Sequence, residues 1–274
     1  MTRSPLPRGL VEVSNLCQKD CLYCGIRRGN PSLSRYHLSE AQVLACVDEA
    51  VRRGYPAIAL QAGELESEAN TRLYERLLSR VEIGEVTLSL GEQEESVYRR
   101  WKDAGAMRYL IRIETSNREL YAKIHPAECS FERRLGCIRT LKRLGYVTGT
   151  GVMIGLPGQT VEDLARDIVF YGNENVDMVG MGPYVPHPDA PLSVGFLNFS
   201  PPRLFNLTLR MIALTRLYLW NVNIVAATAL EALDPEGGRN RGIEAGANVV
   251  MPVLTPEKYR KCYDLYPGKN EAVS

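Results

Sequence analysis

Short apolar runs rich in β-branched residues alternate along this chain with longer segments of helical period. This alternation is typical of βα units and a parallel sheet. The pattern predicts eight strands, at 11–16, 57–62, 86–90, 108–113, 149–156, 178–185, 223–229 and 248–254. Eight strands with seven connections favour an α/β fold of the (β/α)8 TIM-barrel type over an open sheet.

The helices between these strands carry recognisable end signals. Ser39, Ser130 and Thr160 are predicted N-caps, because each precedes a segment of helical period by one residue. Three helices are predicted to end just before a glycine, where a left-handed cap costs little: Gly54, Gly105 and Gly145.

Composition limits the classes of function. The chain has 274 residues, 45% hydrophobic and 24% charged, with a net charge of +1. We expect a single domain over 1–274, and no nucleic-acid partner, because no basic cluster stands out. No apolar run reaches the length of a signal peptide or membrane span, so we expect a cytoplasmic protein without a membrane partner. The seven cysteines are too sparse for a disulfide framework.

Unusual residues follow the predicted strands at their carboxyl ends, where barrel enzymes place their chemistry. In strand order they are Cys17, Gly63 with Glu64, Gly91 with Glu92, Glu114, Pro157 with Gly158, His187, Thr228 and Thr255.

The tightest candidate site is a CxxxCxxC motif formed by Cys17, Cys21 and Cys24. Three thiolates on one loop can bind three irons of a cubane cluster and leave the fourth iron open, whereas an electron-transfer cluster usually takes four cysteines. A structural zinc site is the alternative, but it needs a fourth ligand, and the nearest histidine is His37. Buried structural cysteines are a third reading, which the polar spacers 18–20 disfavour.

The motif and several longer segments together resemble a known family. The CxxxCxxC spacing followed by Gly25 is similar to the signature of radical S-adenosylmethionine (SAM) enzymes. Further segments resemble the HydE family of maturases for the [FeFe]-hydrogenase cluster, which is related to biotin synthase and methylornithine synthase. These segments lie at 14–28, 61–64, 87–92, 155–160, 177–183, 186–189 and 266–269.

The resemblance implies cofactors and site residues. It implies a four-iron four-sulfur cluster on the three cysteines and SAM on the open iron. Reductive cleavage of SAM would then give a 5'-deoxyadenosyl radical. The SAM-binding residues implied are Tyr23 near the adenine, Gln61 and Gly63 at the amino group, Ser89, and Arg112, Glu114 and Arg134 at the ribose and carboxylate. Tyr23 could equally be a core aromatic, and Arg133 competes with Arg134 for the inward position.

The resemblance also implies partners. These are a small-molecule substrate, a reductant such as ferredoxin or flavodoxin, and other hydrogenase maturases. The substrate implied is a small iron-bound precursor carrying cysteine, carbon monoxide and cyanide. A methylornithine synthase-like mutase and a non-catalytic iron-sulfur scaffold are the alternative functions.

Two positions depart from the family pattern. Ile113 replaces a histidine of the family, and Ala227 replaces a threonine. We expect both side chains to face the barrel interior, where they would alter the substrate. The barrel is also expected to have shortened N- and C-terminal ends. His187, Tyr263 and Tyr266 are weaker candidates near the barrel mouth, and the other four cysteines are expected to be structural.

Overall fold

A parallel sheet forms the centre of the protein, whose computed structural model describes residues 5–193 and 199–269. Seven strands hydrogen-bond in the order β10-β8-β6-β5-β4-β3-β2, and every adjacent pair is parallel. Four short strands complete the set. The bounds are β1 Leu6–Pro7, β2 Gly9–Ser14, β3 Ala57–Ala62, β4 Glu85–Ser89, β5 Arg108–Leu110, β6 Val147–Thr150, β7 Met153–Ile154, β8 Met178–Val179, β9 Gly182–Pro183, β10 Asn223–Ile224 and β11 Val249–Val250.

The segment around β11 joins the two edges of this sheet. On one side Val249 bridges to Val225, just after β10, and on the other Val253 bridges to Leu10 of β2. The Leu10 amide donates to the Pro252 carbonyl at 2.8 Å. The eighth predicted strand therefore lies between the first and the seventh, as a barrel requires.

Two predicted strands are each broken in the middle. The fifth is divided into β6 and β7 and the sixth into β8 and β9, with β7 paired to β9 in a separate small sheet. The breaks lie at Gly151 and Gly180. A Cβ at Gly151 would come within 2.0 Å of the Gly180 carbonyl oxygen, so the two backbones approach as only glycine permits.

Ten α-helices are described, and their ends follow the sequence signals. Ser39 and Thr160 form capping boxes, and Ser130 accepts a hydrogen bond from the Arg133 amide. The helices are α1 Glu40–Arg52, α2 Glu68–Leu78, α3 Glu95–Asp103, α4 Arg118–Ile124, α5 Phe131–Arg143, α6 Val161–Asn173, α7 Pro201–Tyr218, α8 Ala229–Leu233, α9 Gly238–Glu244 and α10 Glu257–Arg260. Gly54, Gly105 and Gly145 all have positive φ, as predicted.

Aromatic side chains fill the space between α2, α3 and the sheet. Trp101 is fully buried, with Tyr74 edge-on at 5.7 Å and Tyr109 stacked at 6.3 Å between ring centroids. This packing fixes the outer helices against β4 and β5. Within residues 5–193 and 199–269, no helix has the length and apolar character needed to cross a membrane.

Candidate active site

The three motif cysteines lie on the loop that follows β2, residues 15–30, which we call the cysteine loop. Its polar spacer residues are all anchored. Gln18 donates to Glu66 Oε1 at 2.9 Å. Asp20 accepts the Gly29 amide at 2.9 Å and Arg27 Nη1 at 2.6 Å. The loop is therefore held in place by its own spacers as well as by the flanking strand.

The third spacer, Lys19, reaches into a largely buried charge network. Lys19 Nζ lies 3.1 Å from Glu64 Oε1 and 3.4 Å from Glu92 Oε2. Glu64 and Glu92 follow β3 and β4, and the Glu92 amide donates to Glu64 Oε2 at 2.9 Å. Burial raises the pKa of Glu64. Burial acts the same way on Glu92, but Arg134 and Lys19 outweigh it and hold the pKa of Glu92 below its usual value.

A cavity of about 330 Å³ opens at the carboxyl ends of the strands, beneath the cysteine loop. The ten residues predicted to hold the cluster and SAM all line this cavity, although they come from five different parts of the chain. They are Cys17, Cys21, Tyr23, Cys24, Gln61, Gly63, Ser89, Arg112, Glu114 and Arg134.

Gly63 lets the end of β3 lie directly against the cysteine loop. A Cβ at this position would come within 2.2 Å of the Leu16 carbonyl oxygen and 2.8 Å of the Cys17 Cβ. The Gly63 amide donates to the Ser14 carbonyl at 2.9 Å. Any larger residue would push the first motif cysteine away from the cavity.

The thiols are neutral in the absence of a metal. Burial raises the pKa of Cys17, and it raises the pKa of Cys24 to about 12. The pKa of Cys21 is raised by a hydrogen bond with the Cys129 thiol and then by burial. Because iron binds the thiolate, metal binding at these residues must release protons.

Glu114 and Arg112 face the cavity with unsatisfied polar atoms. Arg112 Nη2 lies 3.0 Å from Glu114 Oε2, but in the described structure neither atom has a partner in hydrogen-bond geometry, nor has Arg112 Nε. Burial raises the pKa of Glu114 against the attraction of Arg112. Glu114 also has a φ of 66°, an uncommon backbone conformation for a non-glycine residue and one often found at functional sites.

Arg134, and not Arg133, points inward. The Arg134 side chain is 8% exposed and the Arg133 side chain 41% exposed. Arg134 Nε donates to Glu92 Oε1 at 2.6 Å and its Nη1 to the Arg112 carbonyl at 2.8 Å. Its Nη2 lies 3.9 Å from Glu64, which leaves this edge of the guanidinium for a ligand.

Comparison with known proteins identifies the family. The family model of the radical SAM superfamily matches residues 11–170. The chain belongs to the radical SAM superfamily. It is 46% identical over 263 residues to the [FeFe] hydrogenase maturase subunit HydE of Thermotoga maritima, covering 96% of this chain and 74% of that protein. It is therefore a radical SAM enzyme of the HydE type, and its cofactors are a four-iron four-sulfur cluster and SAM.

More distant relatives share the fold. The biotin synthase of Persephonella marina is 28% identical over 222 residues, covering 76% of this chain and 62% of that protein. The crystal structure of methylornithine synthase, PylB, superposes with a TM-score of 0.80 at 22% identity, covering 97% of this chain and 73% of that one. This likeness confirms the predicted TIM-type fold.

The polar groups of the cavity suit these cofactors. A ribose offers hydroxyl donors, which the buried carboxylate of Glu114 can accept. The α-carboxylate of SAM is an acceptor, which suits Arg112 Nε, a nitrogen without a hydrogen-bond partner in the described structure. The cavity therefore contains a hydrogen-bond acceptor for the ribose and hydrogen-bond donors for the carboxylate, beside the three cysteines.

Tyr23 is oriented by residues that the sequence analysis missed. Its hydroxyl lies 3.3 Å from His125 Nε2, and His125 Nδ1 lies 2.9 Å from the Tyr121 carbonyl. A carbonyl only accepts, so Nδ1 carries the hydrogen and Nε2 accepts from Tyr23. Burial lowers the pKa of His125 to about 3, which keeps the ring neutral. Tyr23 is thus half-buried, lines the cavity and is oriented by His125.

The segment 262–269, which we call the C-terminal strap, crosses the barrel mouth. Tyr266 Oη lies 2.5 Å from Thr228 Oγ1. Lys269 Nζ forms a buried ion pair with Glu12 of β2. His187 Nε2 contacts Asp264 at 3.1 Å, so this histidine holds the strap. Nothing in the local sequence pairs Glu12 with Lys269, and neither was predicted as a site residue.

The prediction for Ile113 was wrong, whereas Ala227 does line the cavity. Ile113 is fully buried in the main hydrophobic core. Its neighbours Arg112 and Glu114 take the positions that face the cavity, so Ile113 points the other way, as expected for alternating side chains. The exchange of histidine for isoleucine therefore changes the core packing and leaves the cavity wall as it is.

Proposed function

We propose that Cys17, Cys21 and Cys24 bind three irons of the cluster and leave the fourth for SAM. The observation that carries this proposal is the shared cavity, which joins the three thiols to Arg112, Glu114 and Arg134. Three cysteines on one loop suit an incompletely ligated cubane. With both cofactors bound, this site would supply the 5'-deoxyadenosyl radical of the superfamily.

For SAM, we assign a role to each remaining residue that lines the cavity. Glu114 accepts the ribose hydroxyls, and Arg112 with Arg134 binds the carboxylate, because a guanidinium fork matches carboxylate geometry. Gln61 and Gly63 lie at the amino group, and Tyr23 packs near the adenine. Ser89, the last residue of β4, lies beside them in the cavity wall.

The chain's own residues also fix the protonation and geometry of the site before SAM arrives. Arg134 is already held by Glu92 and by the Arg112 carbonyl, so binding requires little reordering of its side chain. The His125 tautomer holds Tyr23 by a single hydrogen bond. Because these side chains are already in place, little of the free energy of SAM binding is lost in ordering them.

We further propose that the protein is a HydE-like maturase that acts on a small iron-bound precursor. The 46% identity to HydE supports this proposal. We propose ferredoxin or flavodoxin as the reductant and other hydrogenase maturases as pathway partners. The free thiols suit a reducing cytoplasm.

The cluster and the SAM reaction are tested together. The purified protein is reconstituted anaerobically with iron and sulfide, reduced with dithionite and incubated with SAM. We expect close to four irons per chain and formation of 5'-deoxyadenosine. A variant with all three cysteines changed to alanine should lose both. If that variant retains the cluster, the assignment of the three ligands is wrong.

Maturation is tested in an assay that lacks the native HydE. We expect this protein to support hydrogenase activity above the level of a mock sample. Cleavage of SAM without any hydrogenase activity would contradict the maturase function and leave a mutase of the methylornithine synthase kind. An intact cluster without SAM cleavage would favour the iron-sulfur scaffold.

A further inference from the structure

The two ends of the cysteine loop meet around one guanidinium group, that of Arg35. Arg35 Nη1 donates to the Asn15 carbonyl at 2.7 Å and to the Ile26 carbonyl at 2.8 Å. Arg35 Nη2 donates to the Arg27 carbonyl at 2.5 Å. Asn15 lies two residues before the first motif cysteine, and Ile26 lies two residues after the last. A single side chain therefore ties the backbone that enters the motif to the backbone that leaves it.

The Asn15 side chain makes the opposite connection. It is fully buried, its Oδ1 accepts the Tyr36 amide at 2.8 Å, and its Nδ2 donates to the Ser34 carbonyl at 2.8 Å. Each of the two side chains thus binds the backbone of the segment that carries the other, and we call the pair Asn15 and Arg35 the loop clasp. None of these hydrogen bonds uses a thiol, so the clasp is compatible with ligation of iron by all three cysteines.

The shape of the guanidinium suits this position. It presents five N–H donors in one plane and has no acceptor, so it can bind several carbonyl oxygens at once. Two longer contacts, of 3.3 and 3.4 Å, run from Nη2 to the carbonyls of Arg28 and Asn30. A lysine ammonium has three donors on a flexible stem and cannot reproduce this arrangement. The contacts therefore depend on arginine and not on positive charge alone.

A cubane cluster needs its cysteine sulfurs at fixed separations. A loop that is free to move must be ordered when the cluster binds, and that ordering costs conformational entropy. We propose that Arg35 is a positioning residue of the cluster site, which together with Asn15 holds the cysteine loop in the shape that binds the cluster and thereby slows the loss of iron. The inference rests on the proposed ligation of iron by the three cysteines.

The test compares Arg35→Ala, which removes the guanidinium, with Arg35→Lys, which keeps the charge and part of the donor set. Arg28→Ala is the matched control, because the Arg28 side chain is exposed on the same loop and its carbonyl is retained. Each protein is reconstituted anaerobically with iron and sulfide, and release of iron to a chelator is followed over time. Hydrogen exchange of the backbone amides and the free energy of unfolding are measured on the proteins before reconstitution.

We expect Arg35→Ala to release iron at least fivefold faster than the unchanged protein. Arg35→Lys should be intermediate, and Arg28→Ala should match the unchanged protein. Amides of the cysteine loop should exchange faster in both Arg35 variants, whereas those of β4 should not change.

Equal rates of iron release in all four proteins would overturn the inference. Faster exchange throughout the chain, with a lower free energy of unfolding in both Arg35 variants, would also overturn it, because Arg35 would then support the whole fold and not the loop. The ligand assignment fails separately, if the triple-alanine variant of the motif keeps its iron.

Discussion

Lys19 Nζ lies 3.1 Å from Glu64 Oε1, which ties the spacer between the first two motif cysteines to the end of β3. The Lys19 side chain is 12% exposed and also contacts Glu92. Burial alone would lower the pKa of Lys19, but Glu64 and Glu92 raise it above its usual value. Lys19 of the cysteine loop therefore supplies a buried positive charge that pairs with Glu64 and Glu92.

Replacing Lys19 by methionine should weaken both the fold and the cluster site. Removing one partner of a buried ion pair costs about 3 kcal/mol or more, because the other charge is left unpaired. We expect a lower free energy of unfolding and fewer irons per chain after reconstitution. Lys123→Met is the control, since Lys123 is exposed on α4. Equal iron content in the two variants would show that the cysteine loop does not need this anchor.

Arg134→Ala should weaken SAM binding far more than Arg133→Ala. Losing a charge-assisted hydrogen bond to a carboxylate costs roughly 1.5–3 kcal/mol, or about 10- to 150-fold in affinity. Arg133 is 41% exposed, and its loss should cost little. Equilibrium binding of SAM to the reconstituted proteins measures the difference.

Arg134→Ala also leaves Glu92 without its nearest partner. Arg134→Lys therefore serves as a second variant, because it keeps a positive charge beside Glu92 while losing the guanidinium fork. We expect Arg134→Lys to fold better than Arg134→Ala and still to bind SAM weakly. Affinities equal to that of Arg133→Ala would place the carboxylate of SAM elsewhere.

Asp167 of α6 should make folding depend on pH. Its Oδ1 accepts the Ser116 amide at 2.7 Å and the Ser116 hydroxyl at 2.6 Å, which fixes the loop after Glu114. Burial raises the pKa of Asp167 from 3.8 to about 7. The folded protein therefore binds a proton more tightly than the unfolded chain, and this group's contribution to stability is lost as the pH rises through 7.

Asp167→Asn should remove this dependence, because the amide keeps an acceptor for Ser116 and does not titrate. Denaturant unfolding at several pH values between 4 and 8 measures the slope. Asp103→Asn, at an exposed position on α3, should leave the slope unchanged. A slope that persists in Asp167→Asn would assign the titration to another group.

The two departures from the family pattern should behave differently. Ile113→His places a polar ring in the hydrophobic core and should cost roughly 2 kcal/mol or more in unfolding free energy. Ile113→Val, the conservative control, should cost about 0.5–1.5 kcal/mol. Neither change should improve hydrogenase maturation, since Ile113 does not line the cavity.

Ala227→Thr instead adds a hydroxyl to the cavity wall. We expect it to fold normally and to change the yield of active hydrogenase in the maturation assay relative to the unchanged protein. SAM cleavage without substrate should stay the same, because Ala227 is not among the residues assigned to SAM. A yield equal to that of the unchanged protein would show that this position does not contact the substrate.

The sequence predicted the features that depend on neighbouring residues. The strand and helix order, the capping residues Ser39, Ser130 and Thr160, and the cysteine loop all follow from local pattern. The gathering of Gln61, Ser89 and Glu114 in one cavity also followed, because the carboxyl ends of parallel strands meet on one face of a barrel. Each of these residues could be assigned to the cavity from its position relative to the end of a strand.

The tertiary structure decided the contacts between distant segments. Glu12 and Lys269 pair across a separation of 257 residues, and no local pattern links them. Tyr23 and His125 contact each other across a separation of 102 residues, and no local pattern links these two residues either. Ile113 was assigned to the cavity, but it packs in the hydrophobic core while Arg112 and Glu114 on either side line the cavity. Such contacts depend on how whole elements pack, and that packing is set by the complete core and not by the residues on either side.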